Sequence, residues 1–264
     1  MNKAASNLVI SILILAGLWF LLSKVDWLDL LDIPQEKNQS SLEKKLGEML
    51  WKEVSRNKTD LTKAEKYGPI HELFNRICTS NELDTSDYEL FIFRSSQVNA
   101  FAMPDNKVVL MTGLIEEAEN PDAVAGVLGH EIGHLYLDHV MDKLKMEIGL
   151  SVLVAIISGG GGSDITGVLK LLASNAFSRE AEREADLKSV DFLHQANIHP
   201  EAFATFLYDL GAEDKSPDMF YWISTHPEAK ERAEEILRYH QENFSEKVFK
   251  PSISKADWEK IRED

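Results

Sequence analysis

The sequence predicts an α+β fold that is mainly helical, contains a small antiparallel sheet and follows an N-terminal membrane-anchor helix. The first observation is the apolar run Leu8–Leu22, which is typical of a membrane anchor. The second is a pair of segments rich in aromatic and β-branched residues, Tyr88–Ser95 and Lys107–Thr112, which predict two strands. The third is the series of helical patterns that follows these strands. A short sheet that leads directly into helices favours an α+β domain.

The composition limits the classes of function. The chain has 264 residues, of which 44% are hydrophobic, so it can form one sizeable core or one domain with appendages. Its 28 basic and 44 acidic residues give a net charge of -16, which would repel the phosphates of a nucleic acid. Nucleic acid is therefore not expected as a partner. Cys78 is the only cysteine, so a metal would have to bind to histidine and carboxylate side chains.

The N-terminal apolar run is marginal in length for a membrane span. As a helix, Leu8–Leu22 would span about 22 Å, which is less than the hydrocarbon core of about 30 Å unless its flanks extend it. The residues after it lack a small-x-small cleavage pattern, which favours an uncleaved signal anchor over a cleaved signal peptide or a docked amphipathic helix. Because Lys3 precedes the run and acidic residues follow it, we expect the large domain outside the cytoplasm.

The sequence divides into three parts. Residues 1–33 are predicted to form the signal anchor and a juxtamembrane segment, and residues 34–240 the main domain. Residues 241–264 form a polar C-terminal tail, in which a short helix is predicted near Ser254–Ile261. The sequence contains no internal repeat that would indicate a further domain.

Two amphipathic helices are predicted before the strands. The first runs from about Leu42 to Val54 after a polar link with two serines, either of which can cap it. The second runs from about Leu61 to Cys78 and is interrupted or restarted near Gly68 and Pro69. A turn is predicted at Pro104–Asn106, between the two strands.

A strong helix start follows the strands. Asn120 can cap a helix, Pro121 fits the first helical position and Asp122 suits the positive end of the helix dipole. We therefore predict a helix from Pro121 to about Lys143. It contains the most informative motif of the chain, VLGHEIGHLYLDH.

Two histidines in this motif, His130 and His134, lie one helical turn apart and can face one metal ion. Glu131 lies beside them and can reach a water molecule on that metal. The pattern indicates a zinc site, and a buried helix whose histidines only make hydrogen bonds is the alternative. The longer pattern with a third histidine fails, because His139 is displaced from it by one residue. The third ligand must come from elsewhere, and a carboxylate is the usual candidate.

The acid-rich segment Ser178–Leu193 predicts a helix that can supply this carboxylate. At about 100° per residue, Glu182 and Asp186 fall within or at the edge of its apolar arc. A buried acid is unfavourable unless it is paired or binds metal, so Glu182 is the preferred ligand and Asp186 can orient a ligand histidine. Glu180 and Glu184 face away and are predicted to be solvated charges.

Four motifs occur in order along the chain: NAFAMPDNKVVLMTGLI, HEIGH, SREAEREAD and THPEAKER. In this combination the sequence resembles the zinc metallopeptidase family that includes HtpX and the CAAX prenyl proteases. The resemblance covers about Tyr88–Leu237. It implies a zincin-type metalloprotease domain with one zinc ion per chain.

The resemblance also implies residue roles. His130, His134 and Glu182 are expected to bind zinc, and Glu131 is expected to act as the general base on a zinc-bound water. Replacement of Glu131 by glutamine should therefore retain zinc and abolish turnover.

Three further residues are expected to support the site. By resemblance, Asp186 supports a ligand and Arg232 helps to hold the region. His226 is expected near the active site as a catalytic residue, where it can stabilise the oxyanion or regulate access. From the sequence alone, a histidine between Thr225 and Pro227 is more often a local hydrogen-bonding residue at a helix start.

An extended substrate needs backbone partners. The strand Lys107–Thr112, which includes Val109, could bind a substrate by strand addition if its edge is exposed. Its continuous apolar sequence also fits simple core packing. Asn99 and Ala100 are placed near the same groove only by the resemblance, as weaker substrate contacts.

The apolar run Ile148–Ser158 is too short to span a bilayer. A buried core helix is the first interpretation, and a membrane-touching hairpin or a lid is the alternative. Several relatives of HtpX carry true membrane spans in this interval. Since this chain does not, we expect a catalytic domain tethered only by its N-terminus.

The hypothesis from the sequence is a membrane-anchored zinc endopeptidase on the extracytoplasmic, periplasmic side. Its expected partners are unfolded or misassembled envelope proteins, and the oligomeric state is left open. The alternative is a chaperone or assembly factor with a latent zinc site that binds client chains in the same groove. A fourth metal position occupied by His226 would favour this alternative.

Overall fold

The computed structural model describes residues 37–159, 165–211, 220–245 and 247–263. The predicted anchor at Leu8–Leu22 lies outside these residues. Within the described ranges, no helix has both the length and the apolar character needed to cross a bilayer. The chain divides into the units Met1–Leu42 and Glu43–Asp264, and the described part of the first unit, residues 37–42, is helical.

The helices before the sheet are close to those predicted. Helix α1 (Lys37–Asn57) includes the predicted segment Leu42–Val54 and extends it at both ends. Helix α2 (Gly68–Ser80) begins where a restart was predicted, with proline in its first turn, where no backbone N–H is needed. The stretch from Leu61 is not part of that helix and contains only the 3₁₀ turn Glu65–Tyr67.

The sheet has three strands, β1 (Glu89–Phe93), β2 (Ala100–Met103) and β3 (Lys107–Met111), in the order β1-β3-β2. Strand β3 runs parallel to β1 and antiparallel to β2, so the prediction of a purely antiparallel sheet was wrong. The predicted turn at Pro104–Asn106 joins β2 to β3. Strand β2 was not predicted because all four of its residues are buried, which removes the alternation that marks a half-exposed strand.

The strand predicted to have an exposed edge is the central strand. Both sides of β3 are paired and all five of its residues are buried, including Val109. Val109 therefore cannot offer backbone groups to a substrate strand, and the prediction of an exposed edge at this strand was wrong. The edge strand that pairs antiparallel with β3 is β2.

The motif helix α4 (Pro121–Tyr136) begins as predicted. The Asn120 side chain accepts hydrogen bonds from the backbone N–H groups of Asp122 and Ala123. The helix does not continue to Lys143, because Asp138 adopts a left-handed conformation with φ 59° and a separate helix, α5 (His139–Glu147), follows. The predicted single helix is therefore two.

Helix α4 lies in the centre of the core, against β2 and two later helices. Its glycines permit this close packing. A Cβ atom at Gly126 would lie 2.1 Å from Cβ of Phe203, and one at Gly129 would lie 2.7 Å from Oγ of Ser189. The glycines of the motif thus allow neighbouring elements to approach the helix backbone, as their lack of a side chain permits.

The remaining helices surround α4 and the sheet. The acid-rich helix was predicted correctly, and Ser178 caps it by accepting a hydrogen bond from the N–H of Ala181. The terminal helix was also predicted, and two of its residues are buried. These helices are α3 (Thr112–Glu117), α6 (Leu150–Ile157), α7 (Ile165–Ser174), α8 (Arg179–Gln195), α9 (Glu201–Leu210), α10 (Phe220–Thr225), α11 (Ala229–Asn243) and α12 (Lys255–Arg262).

Helix α6 lies within the apolar run Ile148–Ser158. Leu153 and Ile156 are buried, so one face of the helix packs inside the protein. Leu150 and Val152 are nearly half exposed. The helix is therefore neither fully buried nor fully exposed.

Candidate metal centre

The two motif histidines lie on adjacent turns of α4 and are completely buried. Nε2 of His130 and Nε2 of His134 are 3.0 Å apart. Their rings meet edge to face, with centroids 4.6 Å apart. Helical periodicity therefore directs two nitrogen atoms to one point, as the motif predicts.

Two side chains from other elements reach the same point. Helix α8 brings the carboxylate of Glu182 to 3.6 Å from Nε2 of both His130 and His134. His226, just after α10, places Nδ1 at 2.9 Å from Glu182 Oε1 and at 3.2 Å from His130 Nε2. The four donor atoms all lie within 4.8 Å of one another.

The spacing of these donor atoms suits a zinc ion. Two atoms that bind one tetrahedral zinc at its usual bond lengths lie about 3.3 Å apart. The closest distances between these donors range from 2.9 to 3.6 Å. Imidazole nitrogen and carboxylate oxygen are also ligands that zinc prefers, so the cluster fits this metal in both geometry and chemistry.

A buried network of charged side chains contacts two members of this cluster, His130 and Glu182. Asp186 places Oδ1 at 2.9 Å from Nδ1 of His130. Arg232 donates to both oxygens of Asp186 at 2.6 and 2.7 Å, and its Nη1 lies 2.6 Å from Glu182 Oε2. One guanidinium group thus joins the two acids of α8.

These contacts determine the ionisation of both acids. Burial would raise the pKa of Asp186, but the guanidinium group of Arg232 more than offsets this and the pKa is lowered. Burial likewise opposes ionisation of Glu182, but His226 and Arg232 hold its pKa well below the usual range. Both acids are therefore carboxylates at neutral pH.

Glu131 differs from these two acids. It is fully buried, and no hydrogen bond of good geometry from a described residue reaches either of its carboxylate oxygens. Burial raises the pKa of Glu131 to about 7, and nearby groups that include His130 and the backbone N–H of Ala102 only partly oppose this. Its Oε1 lies 3.5 Å from Nε2 of His226. Glu131 is therefore a buried acid with only weak contacts beside the other donors, and its pKa is near neutrality.

The comparison with known families identifies the chain. Residues 64–240 match the model of peptidase family M48. The chain belongs to peptidase family M48. This confirms the resemblance found in the sequence, and zinc is accordingly its cofactor.

Curated members of the M48 family are similar to this chain over part of their length. Mitochondrial metalloendopeptidase OMA1 of Schizosaccharomyces pombe is 28% identical over 74% of this chain and 60% of its own length. Metalloprotease LoiP of Escherichia coli is 32% identical over 59% of this chain and 64% of its own length. The beta-barrel assembly-enhancing protease of Escherichia coli is 27% identical over 53% of this chain and 32% of its own length. The chain thus matches less than two thirds of the length of each of these three relatives.

In this M48 chain, His226 belongs to the cluster itself, because its Nδ1 is one of the four converging donor atoms. The ring of Trp222 packs against it, with centroids 4.0 Å apart. Burial lowers the pKa of His226 to about 4, so the ring is neutral at physiological pH. Glu228, two residues later, has a left-handed backbone with φ 61°, which turns the chain into α11.

The edge strand lies beside the motif helix. Met111 N donates to Asn99 O at 3.0 Å, and antiparallel pairs alternate, so the backbone groups of Ala100 and Ala102 point away from β3. Asn99 itself is only 2% exposed. Of the three predicted substrate contacts, Ala100 therefore lies on an edge strand, whereas Val109 does not.

Two residues near the cluster were missed by the sequence analysis. The ring of Phe177 stacks on His134, with centroids 3.9 Å apart. His139 places Nδ1 at 3.0 Å from Nδ1 of His134, and its Nε2 lies 3.1 Å from Glu184 Oε2. His139 was set aside because its spacing does not fit a third ligand. Glu184 is about half exposed, as predicted, but it pairs with this histidine.

Proposed function

We propose that this M48 protein is a zinc endopeptidase in which His130, His134 and Glu182 hold the metal and Glu131 is the general base. The observation that carries the proposal is the convergence of these donor atoms beside a fully buried acid that has only weak contacts among the described residues. A structural zinc site has no need for such an acid, because an unpaired buried carboxyl group is destabilising. Catalysis gives Glu131 a function.

When bound, zinc supplies a Lewis acid that acidifies a water molecule and polarises the scissile carbonyl group. Glu131 takes a proton from the attacking water as the water oxygen bonds to the carbonyl carbon of the substrate. It then delivers that proton to the nitrogen atom as the C–N bond breaks. A carboxyl group with a pKa of about 7 is suited to both steps, because a general base works best when its pKa is near the working pH.

Asp186 and Arg232 position the other groups. Asp186 Oδ1 lies 2.9 Å from Nδ1 of His130, so we propose that it orients the ring with Nε2 toward the metal. Arg232 keeps Glu182 ionised, so that it can act as a ligand at neutral pH. Both residues are therefore proposed to act through the ligands and not on the substrate.

The substrate is proposed to bind as an extended chain along β2. The outward backbone groups of Ala100 and the carbonyl group of Ala102 can pair with a substrate strand, whereas the N–H of Ala102 is directed at Glu131. We propose unfolded or misassembled envelope proteins as substrates and an extracytoplasmic, membrane-anchored location. A similar protein named a beta-barrel assembly-enhancing protease supports the substrate class, and the apolar run Leu8–Leu22 supports the anchor.

His226 is proposed to stabilise the oxyanion, but its position also supports the alternative function. Its Nδ1 lies 2.9 Å from Glu182 Oε1 and 3.2 Å from His130 Nε2, so it is close enough to serve as a further ligand if a metal is bound. A histidine bound there would take the position that an attacking water needs. The alternative is therefore a latent enzyme or a client-binding assembly factor in which His226 binds the metal and excludes the attacking water.

The test uses the full-length protein in detergent, with zinc content and cleavage of unfolded casein as measurements. We expect about one zinc per chain. Glu131→Gln should keep the zinc and lose cleavage, whereas Glu182→Ala should lose both. Wild-type protein that binds zinc and cleaves only after His226→Ala would favour the latent alternative. Protein that binds no zinc would contradict both functions.

A further inference from the structure

The turn after the motif helix brings His139 back to the metal centre. If α4 had continued, His139 would lie five residues beyond His134 and point about 140° away from it. Instead, the left-handed backbone of Asp138 ends the helix, and Nδ1 of His139 comes to 3.0 Å from Nδ1 of His134. The other nitrogen atom of His139 lies 3.1 Å from Oε2 of Glu184.

The proton positions in this chain of contacts follow from the metal site. Nε2 of His134 faces the donor cluster, so it must carry no hydrogen when the ring binds a metal, and the hydrogen is then on Nδ1. That hydrogen points to Nδ1 of His139, which must accept it. The hydrogen of a neutral His139 is then on Nε2, where Glu184 can accept it. The three residues have one consistent arrangement.

We propose that His139 is a positioning residue that fixes the tautomer and the ring orientation of His134, and that Glu184 fixes the tautomer of His139. This inference rests on the proposed function, because it takes His134 as a zinc ligand. In this arrangement the two proposed ligand histidines, His130 and His134, are positioned by different kinds of partner. His130 is held directly by the buried Asp186, whereas His134 is held through a neutral ring by an acid that is about half exposed.

Simple packing is the competing explanation for His139. Its side chain is only 11% exposed, and its ring also meets the ring of His134 edge to face. Phe177 already stacks on the face of His134, so the orientation of that ring does not depend on His139 alone. A test must therefore separate the loss of a hydrogen-bond acceptor from the loss of volume.

Two substitutions at His139 make this separation. His139→Leu keeps a side chain of similar bulk but removes the hydrogen-bond acceptor. His139→Asn loses more volume, but its Oδ1 can take the place of Nδ1 and accept from His134. A positioning role predicts that leucine is worse for zinc binding, whereas a packing role predicts that asparagine is worse.

The experiment measures zinc affinity of the full-length protein by competition with a chelator, and thermal unfolding of the zinc-free forms. We expect His139→Leu to weaken zinc binding by about 10–100-fold, the usual effect of losing an outer partner of a ligand. His139→Asn should remain close to wild type. Glu184→Gln should also remain close, because its amide oxygen can accept, and Glu184→Ala should bind zinc more weakly than Glu184→Gln.

The result that would overturn the inference is equal zinc affinity in His139→Leu and wild type, or a greater loss in His139→Asn. His130→Ala provides the reference for the site itself. If zinc binding is unaffected by His130→Ala, the metal site of the proposed function is wrong and the inference falls with it. If His130→Ala loses zinc and His139→Leu does not, only the inference is wrong.

Discussion

Nδ1 of His226 lies 2.9 Å from Oε1 of Glu182, while Nε2 of the same ring lies 3.5 Å from Oε1 of Glu131. One neutral imidazole therefore stands between a proposed ligand and the proposed base. A neutral ring has a single hydrogen. If that hydrogen is on Nε2, then Nδ1 can bind a metal. If it is on Nδ1, that atom donates to Glu182 and cannot bind a metal.

The first prediction separates these two states of His226. Although Nδ1 of His226 is as close to the other donors as they are to one another, its proposed role at the oxyanion predicts that His226→Ala slows cleavage and leaves zinc affinity unchanged. Chelator competition on full-length protein measures this directly. Weaker zinc binding in His226→Ala would instead indicate that Nδ1 is a fourth ligand, as in the latent alternative.

The second prediction concerns Arg232. Its guanidinium group is buried and joins Asp186 to Glu182, so Arg232→Met leaves two buried carboxylates without their cation. We expect a loss of about 3–5 kcal/mol in the free energy of unfolding, the usual effect of removing one partner of a buried ion pair. Denaturant unfolding in the presence of a chelator measures it without the contribution of zinc.

Arg183, the residue after Glu182 on α8, provides the matched control. It pairs with Glu235 at 2.7 Å, but its side chain is 46% exposed. Arg183→Met should cost less than about 1 kcal/mol, because exposed ion pairs contribute little. Equal losses in the two variants would contradict the role given to the buried arginine.

Much of the centre could be predicted from the sequence because it depends on helical periodicity. The spacing of His130 and His134 places both rings on one side of α4, and the apolar arc of α8 selects Glu182 and Asp186 over Glu184. These local rules hold in the structure, where the four side chains are buried together.

The parts that the sequence did not predict depend on backbone turns and on pairing between distant segments. A single left-handed residue, Asp138, brings His139 back to His134, and no periodic pattern reports such a turn. The edge strand β2 was missed because it is buried on both faces, so the neighbouring strand was taken for the edge. Tertiary packing decided both features.

The third prediction concerns packing against the motif helix. A Cβ atom at Gly126 would lie 2.1 Å from Cβ of Phe203, so Gly126→Ala forces α4 and α9 apart. We expect a loss of about 1–3 kcal/mol, as is usual for overpacking a core. Gly68→Ala is the control, because a Cβ atom there has no neighbour within 4 Å. It should be neutral or stabilising, and a loss as large as that of Gly126→Ala would contradict this explanation.

The fourth prediction concerns the buried lysine beside the metal centre. Lys143 is only 4% exposed; its Nζ donates to the carbonyl oxygen of Asn175 and lies 4.1 Å from the ring centre of Phe177. Burial lowers the pKa of Lys143 to about 8 from its ordinary value of 10.5. Below pH 8 the group is charged in both the folded and the unfolded protein. Between pH 8 and about 10.5, only the unfolded protein retains the proton.

The free energy of unfolding should therefore gain a contribution from Lys143 as the pH rises through this window. Lys143→Met removes that contribution, so its stability relative to wild type should fall between pH 8 and pH 10 in denaturant unfolding. Lys145→Met is the matched control, since Lys145 is partly exposed and pairs with Asp142 at 3.2 Å, and it measures the general effect of removing one lysine. A constant difference between Lys143→Met and wild type across the window would mean that burial does not shift this lysine.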